Sequence, residues 1–407
     1  MKSPIKPTTR DLRKINRQSL LELVYFNAPL SRLELSQLSG LSPATVGNVI
    51  AELLNDGILL EVGSQESQGG RPRTSLSLNP DYGYFIGIEV GETQIQIEIV
   101  DLTLQKVSHT RQSLSAGDFL PQQIVEYIVA GVNILLAQSE IAAERVLGIG
   151  IGMPGIVDHE MGVSVFAPNW GWQNVPLLEL LQARLHIPIY LDNGAHAMAL
   201  AERWFGAARQ AENLMVLLIA TGVGSSIIMS GELYRGASNS AGEWGHTCVQ
   251  PNGALCRCGS HGCLESYIGA PGIIRRYREL APDSAILMRR TQLEIVAGIR
   301  GAAEADDAAA VQVLSEAAQY LGIGIANIIN LLNPQQIVIG GWSGLLLGSY
   351  LLPKTRSTID AYALKQPARV AQIHVSALGD HAVSIGAASL ALERFLRPEG
   401  FSIARVS

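Results

Sequence analysis

The chain has 407 residues, of which 47% are hydrophobic and 16% are charged, and its formal net charge is −6. This composition supplies a sizeable globular core and excludes an intrinsically disordered chain. No apolar run reaches the roughly 18 residues that a membrane-spanning helix needs. Residues 1–17 are basic and lack the apolar core of a signal peptide, so we expect a cytoplasmic protein with no membrane contact.

The charge is unevenly distributed along the chain. Residues 1–80 carry a net charge of +2, whereas the remaining 327 residues carry −8. The change of sign predicts a domain boundary near residue 80, and a basic amino-terminal arm is compatible with nucleic-acid binding. We therefore predict a separate DNA-binding domain over residues 1–80.

The pattern of the first eighty residues predicts a winged helix-turn-helix. A first helix ends at residues 27–29, which read Asn-Ala-Pro. A capping box at residues 31–34 begins a second helix, Gly40 allows a tight turn, and Ser42 caps a third helix. Two short helices joined by a glycine-containing turn are typical of a helix-turn-helix, whose second helix enters the major groove.

The predicted wing follows the third helix. Residues 58–62 and 74–78 alternate like two strands, and the loop 63–73 carries arginines that suit a narrow, electronegative minor groove. The alternative is a small helical dimerisation module, which rarely needs an arginine-tipped loop. The predicted DNA-binding residues are Ser42, Ala44, Thr45, Asn48, Arg71 and Arg73.

Two later segments repeat one plan of three strands joined by turns, at residues 84–113 and 213–235. Further strands are predicted at 146–152 and 336–340. Duplicated hairpins followed by helices and strands predict two α/β lobes with a cleft between them. We assign residues 81–205 to a first lobe, completed by a closing helix at 382–396, and residues 206–381 to a second lobe.

The second lobe contains a predicted metal site. All four cysteines of the chain lie within residues 248–263. Cys256, Cys258 and Cys263, with His246 ten residues before the first of them, suffice for a closed tetrahedral Zn²⁺ site. A disulfide is disfavoured because Cys-x-Cys neighbours bridge badly and the chain has no secretory signal. The zinc is predicted to be structural, since four protein ligands leave no open coordination position.

The stretch G-H-x₉-C-x-C-G-x₂-G-C-x-E resembles the signature of the ROK family (repressors, open reading frames and sugar kinases). The resemblance extends to P-G-I-V-D at 154–158 and G-G-W-S-G at 340–344. It implies a two-lobed actin-like fold. It also implies that Glu243, His246 and Glu265 hold a sugar.

The same resemblance implies that the kinase machinery is altered. Where ROK kinases have D-x-G-G-T, this chain has E-V-G-E-T, in which Glu92 brings a negative charge to a phosphate-binding turn. The second turn, A-T-G-V-G at 220–224, is partly retained. In the family's N-D-A pattern the aspartate is the catalytic base. This chain has Gly194 at that position, and glycine cannot abstract a proton. We therefore expect no ATP and no catalysis, with Asp192 as the alternative base.

Two asparagines complete the predicted sugar site. Asn193 is retained from the N-D-A pattern, and Asn169 lies in A-P-N-W-G-W, although loop asparagines also commonly serve turns. Sugar hydroxyls need paired donors and acceptors, which these side chains provide. His246 is expected to bind zinc through one ring nitrogen and to present the other to the sugar.

The predicted fold class is α/β, with an amino-terminal winged helix-turn-helix followed by a two-lobed actin-like, ROK sugar kinase-like fold. The predicted function is a sugar-responsive transcriptional repressor of carbohydrate metabolism genes that acts as a homodimer or tetramer. Its partners would be operator DNA and a sugar such as xylose, glucose or an N-acetylated hexose. The alternatives are an active ATP-dependent sugar kinase that also binds DNA and a regulator controlled by a protein partner.

Overall fold

Three helices and a small antiparallel sheet form the amino-terminal part of the computed structural model, which describes residues 8–65, 73–115, 118–209 and 211–397. These elements are α1 (Thr9–Asn27), β1 (Leu30–Ser31), α2 (Arg32–Ser39), α3 (Pro43–Asn55), β2 (Leu59–Gln65) and β3 (Arg73–Leu78). The predicted helix starts are confirmed, because the hydroxyls of Ser31 and Ser42 accept hydrogen bonds from the first turns of α2 and α3. The sheet has the order β1-β3-β2. Strand β1 was not predicted, since two residues carry no periodic pattern.

The first lobe is built on a five-stranded sheet. Its elements are β4 (Tyr84–Val90), β5 (Gln94–Asp101), β6 (Lys106–Ser113), α4 (Pro121–Gln138), β7 (Val146–Met153), β8 (Ile156–Asp158), β9 (Val163–Ala167), β10 (Trp172–Val175), α5 (Leu177–Gln182), β11 (Ile189–Asn193) and α6 (Gly194–Trp204). The main sheet has the order β11-β7-β4-β5-β6, and β8, β9 and β10 form a separate small sheet. The meander β4-β5-β6 is antiparallel, whereas β7 and β11 are added in parallel.

The second lobe repeats this topology. Its elements are β12 (Leu214–Ile219), β13 (Val223–Met229), β14 (Glu232–Tyr234), α7 (Glu265–Ile268), α8 (Ala270–Leu280), α9 (Gln292–Glu304), α10 (Ala308–Leu332), β15 (Gln336–Gly340), α11 (Trp342–Tyr362), α12 (Lys365–Val370) and β16 (Gln372–Val375). The last helix, α13 (Ala382–Leu396), packs on strands β4 and β7 of the first lobe. The sheet order β14-β13-β12-β15-β16 matches the first sheet strand for strand, with an antiparallel meander and two parallel additions. The predicted duplication is therefore confirmed.

Helices α6 and α13 lie between the two sheets, and small residues allow their close approach. A Cβ atom on Gly87 of β4 would lie 1.9 Å from the carbonyl oxygen of Ser384, and one on Gly150 of β7 would lie 1.6 Å from that of Ala387. Because any larger side chain would push α13 away, these glycines let its backbone rest directly on the sheet. The closing helix thus packs on strands β4 and β7 of the first sheet.

The amino-terminal helices share a hydrophobic core with the first lobe. Leu20 and Val24 of α1 belong to the same buried cluster as Phe85 of β4 and Leu392 of α13. The predicted boundary near residue 80 therefore lies between strands, but apolar packing continues across it. None of the helices in the described ranges combines the length and the hydropathy that crossing a bilayer requires.

Candidate functional site

A cavity of about 490 Å³ lies in the cleft between the lobes. The turn between β4 and β5 and the turn between β12 and β13 both contribute to its wall. This volume falls in the range of sites for small organic ligands. The predicted sugar-binding residues all line it, together with the glycine at the position of the kinase base: Asn169, Asn193, Gly194, Glu243, His246 and Glu265.

Four side chains at the edge of this cavity could hold a metal ion. The ligand atoms of His246, Cys256, Cys258 and Cys263 all lie within 4.8 Å of one another. The sulfurs of Cys258 and Cys263 are 3.7 Å apart, and the Cys256 sulfur is 3.6 Å from Nδ1 of the histidine. Tetrahedral bonds of about 2.3 Å to sulfur and about 2.0 Å to nitrogen require separations of this size. The donor set therefore fits zinc in both chemistry and spacing.

Three residues of the predicted sugar site meet at this cluster. His246 directs Nδ1 towards Cys256, and its Nε2 lies 3.9 Å from a carboxylate oxygen of Glu243. Glu265 is buried and accepts a hydrogen bond of 2.9 Å from the backbone N–H of Val223. One ring nitrogen of the histidine thus faces Cys256, and the other faces the carboxylate of Glu243, which lines the cavity.

The two asparagines also have structural partners. The side-chain oxygen of Asn193 accepts hydrogen bonds from the backbone of Ala195 and His196 and thereby caps α6, while its amide donates to the carbonyl of Gly155. The Asn169 amide donates a hydrogen bond to Glu92. Both asparagines line the cleft, but each amide is already held by the protein.

Asp192, the alternative catalytic base, is fully buried. Arg235 of the second lobe contacts both of its carboxylate oxygens, one at 2.9 Å, and Nδ1 of His196 lies 2.8 Å from it. Burial would raise the pKa of Asp192, but hydrogen bonds from His196 and Arg235 outweigh it and hold that pKa well below its usual range. A carboxylate engaged in this way is a poor base. The structure instead shows a buried ion pair between the lobes.

Glu89, the first residue of the E-V-G-E-T turn, is a cleft residue to which the sequence analysis assigned no role. It lies on β4, lines the cavity and is half-buried. Burial, followed by repulsion from Asp380 and Glu98, raises the pKa of its carboxyl to about 7. The available signal was its place in the E-V-G-E-T turn, where it stands at the position of the aspartate of D-x-G-G-T. Near neutral pH this carboxyl carries a proton for much of the time and can donate a hydrogen bond in the cleft.

This shift predicts a pH-dependent stability. Between the ordinary pKa of 4.5 and the folded value of about 7, the folded chain binds the proton that the unfolded chain has lost. Stability attributable to Glu89 is therefore lost as pH rises through this window. We expect Glu89→Gln to unfold at a higher temperature than the wild type at pH 8, by the equivalent of roughly 1–3 kcal/mol, and to match it at pH 4. An equal difference at both pH values, measured by thermal unfolding, would contradict this assignment.

The predicted DNA-contacting face is only partly described. Ser42, Ala44 and Asn48 are exposed at the start and on one side of α3, and Thr45 is half-buried, with its hydroxyl 2.9 Å from that of Ser42. Arg71 lies outside the described residues. For Arg73, only the backbone is described, at the start of β3. The exposed face of α3 is available for a major groove.

Known proteins are similar to this chain over most of its length. Residues 85–394 match the family described as "ROK family". The xylose repressor of Caldicellulosiruptor bescii is 31% identical over 389 residues, which cover 95% of this chain and 97% of that protein. An alignment of this length must include helices α2 and α3, although the ROK match itself begins only at residue 85.

Two solved structures share the fold. A ROK family transcriptional regulator, a homologue of the E. coli MLC protein, covers 95% of this chain and 96% of its own, with a TM-score of 0.80 and 26% identity. A ROK family glucokinase from Streptomyces griseus, in complex with glucose and AMPPNP, covers 76% of this chain and 100% of its own, with a TM-score of 0.66 and 29% identity. The regulator thus accounts for more of this chain than the kinase does.

Proposed function

This chain belongs to the ROK family, and from that membership we propose that it is a sugar-responsive transcriptional repressor of carbohydrate metabolism genes. The observation that carries the proposal is the full-length match to a repressor, which includes both helices α2 and α3 and the lobes. The cleft supports the same proposal, because polar side chains such as Glu243 and His246 line it while Gly194 stands at the position of the kinase base. We propose from this role that the protein acts in the cytoplasm.

We propose that the kinase-like lobes are not catalytic. Phosphoryl transfer to a sugar needs a carboxylate within hydrogen-bond reach of the attacking hydroxyl. Gly194 offers no such group, and the carboxylate of Asp192 is held by Arg235 and His196. We expect no ATP in the cleft, since the first turn carries Glu92 in place of a glycine of the kinase pattern.

We propose that His246, Cys256, Cys258 and Cys263 hold one structural Zn²⁺. When bound, the ion organises the loop and fixes the tautomer of the histidine. Nδ1 is the nitrogen that faces the cysteines. The other nitrogen, Nε2, then carries a proton that it can donate to a hydroxyl in the cleft.

The sugar would lie between the lobes, against polar groups from both. Glu243 and His246 come from the second lobe next to the metal cluster, and Asn193 begins α6 in the first lobe. Glu265 and Asn169 complete the proposed set. Carboxylates accept from sugar hydroxyls, and the histidine N–H and the asparagine amides donate to them. In this proposal, the first lobe comprises residues 81–205 and 382–396, and the second lobe comprises residues 206–381.

For DNA, we propose that residues 1–80 bind the operator as a winged helix-turn-helix. Helix α3 would present Ser42, Ala44, Thr45 and Asn48 to the major groove, and Arg71 and Arg73 would belong to the wing. Operators of such proteins contain two half-sites that mirror the symmetry of a dimer. A homodimer, or a tetramer of two dimers, is accordingly the proposed binding unit.

Helix α6 offers a physical connection between sugar and DNA. Its amino-terminal cap, Asn193, lines the cleft. At its other end, Trp204 contacts the ring of Phe26 of α1 edge to face, with centroids 5.4 Å apart. Arg209, just beyond α6, donates a hydrogen bond of 2.6 Å to the carbonyl of Phe26. A shift of α6 on sugar binding would therefore move α1, provided that the sugar favours one lobe arrangement over another.

Operator affinity with and without sugar tests this proposal. We expect xylose, glucose or N-acetylglucosamine to weaken operator binding by the wild type, and Glu243→Gln to bind the operator normally but not to respond. Losing a hydrogen bond to a charged group should weaken sugar binding roughly 10–100-fold. By linkage, operator DNA must weaken sugar binding by the same factor as sugar weakens operator binding.

The control is Glu304→Gln, the same substitution at an exposed position of α9. This variant should respond to sugar like the wild type. Fluorescence anisotropy on labelled operator and calorimetric titration of the three sugars provide both affinities. Operator affinity that is insensitive to a sugar shown to bind the wild type would contradict the proposal and favour control by a protein partner.

A further inference from the structure

The cleft contains a guanidinium that the proposed sugar, zinc and DNA sites do not use. Arg257 lies in the chain between Cys256 and Cys258, and about a third of its side chain is exposed (34%). Its Nη1 lies 3.0 Å from a carboxylate oxygen of Glu92, and its Nη2 lies 3.4 Å from one of Glu265. Nη2 also donates a hydrogen bond of 3.3 Å to the carbonyl of Thr221.

The Glu92 carboxylate reaches this guanidinium from the opposite lobe. Glu92 lies in the turn between β4 and β5, and only 17% of its side chain is exposed. Its second oxygen accepts the hydrogen bond from Asn169. A Cβ atom built on Gly222 would lie 3.5 Å from this oxygen and 3.2 Å from Nη2 of Arg257. The carboxylate therefore occupies the place where the two glycine-containing turns of the cleft meet.

An arginine fork combined with an amide N–H is a typical receptor for a carboxylate or a phosphate. Here the anion is the protein's own Glu92, which contacts Nη1 of Arg257 and the amide of Asn169, while Nη2 faces Glu265. Because Glu92 is attached to the chain, its effective concentration at Arg257 exceeds that of a dilute external anion. Glu92 and Glu265 also leave the local charge negative after Arg257 is counted. An external phosphate would have to displace one carboxylate and face the other.

We propose that Glu92 is a built-in anionic ligand of Arg257 that fills an anion subsite beside the sugar position. It makes the cleft selective for uncharged effectors and excludes phosphorylated sugars and nucleotides. Glu92 is then a specificity-determining residue, and Arg257 is the latent anion receptor. This inference rests on the proposed function, in that the cleft binds a sugar next to Glu265.

The test is inorganic phosphate binding by the full-length, zinc-loaded chain. Wild type should show no saturable binding in calorimetric titration. Glu92→Gln keeps the shape of the side chain but removes its charge, so phosphate should bind at least about tenfold more tightly than to the wild type. Glu92→Gly, which restores the second glycine of the turn, should behave in the same way. Adding Arg257→Gln to either variant should abolish the gain.

The matched control is Glu126→Gln, which makes the same charge change beside Arg184 in an exposed ion pair. It should gain no phosphate binding. The proposal is wrong if neither Glu92 variant binds phosphate while both retain zinc and the wild-type melting temperature. It is also wrong if the gain survives Arg257→Gln or appears equally in the control. Titration of sugars into the wild type separates these outcomes from a failure of the proposed function. If no sugar binds the wild type, the proposed function itself is wrong.

Discussion

Replacing Cys258 with serine is expected to reduce the zinc content from one ion per chain towards none and to weaken sugar binding. Structural zinc sites contribute about 10–16 kcal/mol of apparent binding free energy in small zinc-dependent domains, so the loop around the ion depends on it. His246 would lose the ion that orients its ring towards the cleft. Zinc content by mass spectrometry and sugar affinity by calorimetry should therefore fall together.

Cys248→Ser is the matched control for this experiment. Cys248 is exposed, lies in the same loop and is not part of the four-residue cluster. It should keep its zinc and its sugar affinity. A Cys258→Ser chain with full zinc content, or with wild-type sugar affinity despite zinc loss, would contradict the proposed dual role of His246.

Replacing Asp192 with asparagine is expected to destabilise the chain by about 3–5 kcal/mol. The substitution leaves the guanidinium of Arg235 partly buried without the carboxylate that contacts both of its terminal nitrogens. It also replaces the charged acceptor of the His196 ring with a neutral amide. Denaturant unfolding followed by circular dichroism measures this loss. Asp360→Asn, which disrupts an exposed pair with Arg356, is the control and should cost about 1 kcal/mol or less.

The effect should also depend on pH. The pKa of Asp192 in the folded chain lies below its unfolded value, so its contribution is complete above about pH 4 and is lost as pH falls further. Wild type and Asp192→Asn should therefore differ most near neutral pH and converge in acid. If Asp192 were a catalytic base instead, its replacement would leave stability unchanged and abolish sugar phosphorylation. That result would restore the kinase alternative.

The sequence predicted local features with good accuracy. The caps at Ser31 and Ser42, the duplicated meanders and the closing helix α13 were all found where the pattern indicated. Each depends on residues close together in the chain, so periodicity and capping chemistry are sufficient to locate them. The metal cluster belongs to this class as well, because its four ligands lie within 18 residues of sequence, from His246 to Cys263.

The sequence by itself thus determined the class of fold and the family resemblance, and the sugar-binding residues that it predicted all line the cleft. Only the tertiary structure decided what the charged residues of the cleft contact. Asp192 and Arg235 are 43 residues apart in the chain, and Glu92 and Arg257 are 165 apart. A sequence shows which charges exist but not which of them meet, because their pairing depends on how the two lobes and the central helices pack. For the same reason, only the structure shows that Asp192, the candidate base, pairs with Arg235. It likewise shows that Glu92 of the E-V-G-E-T turn pairs with Arg257.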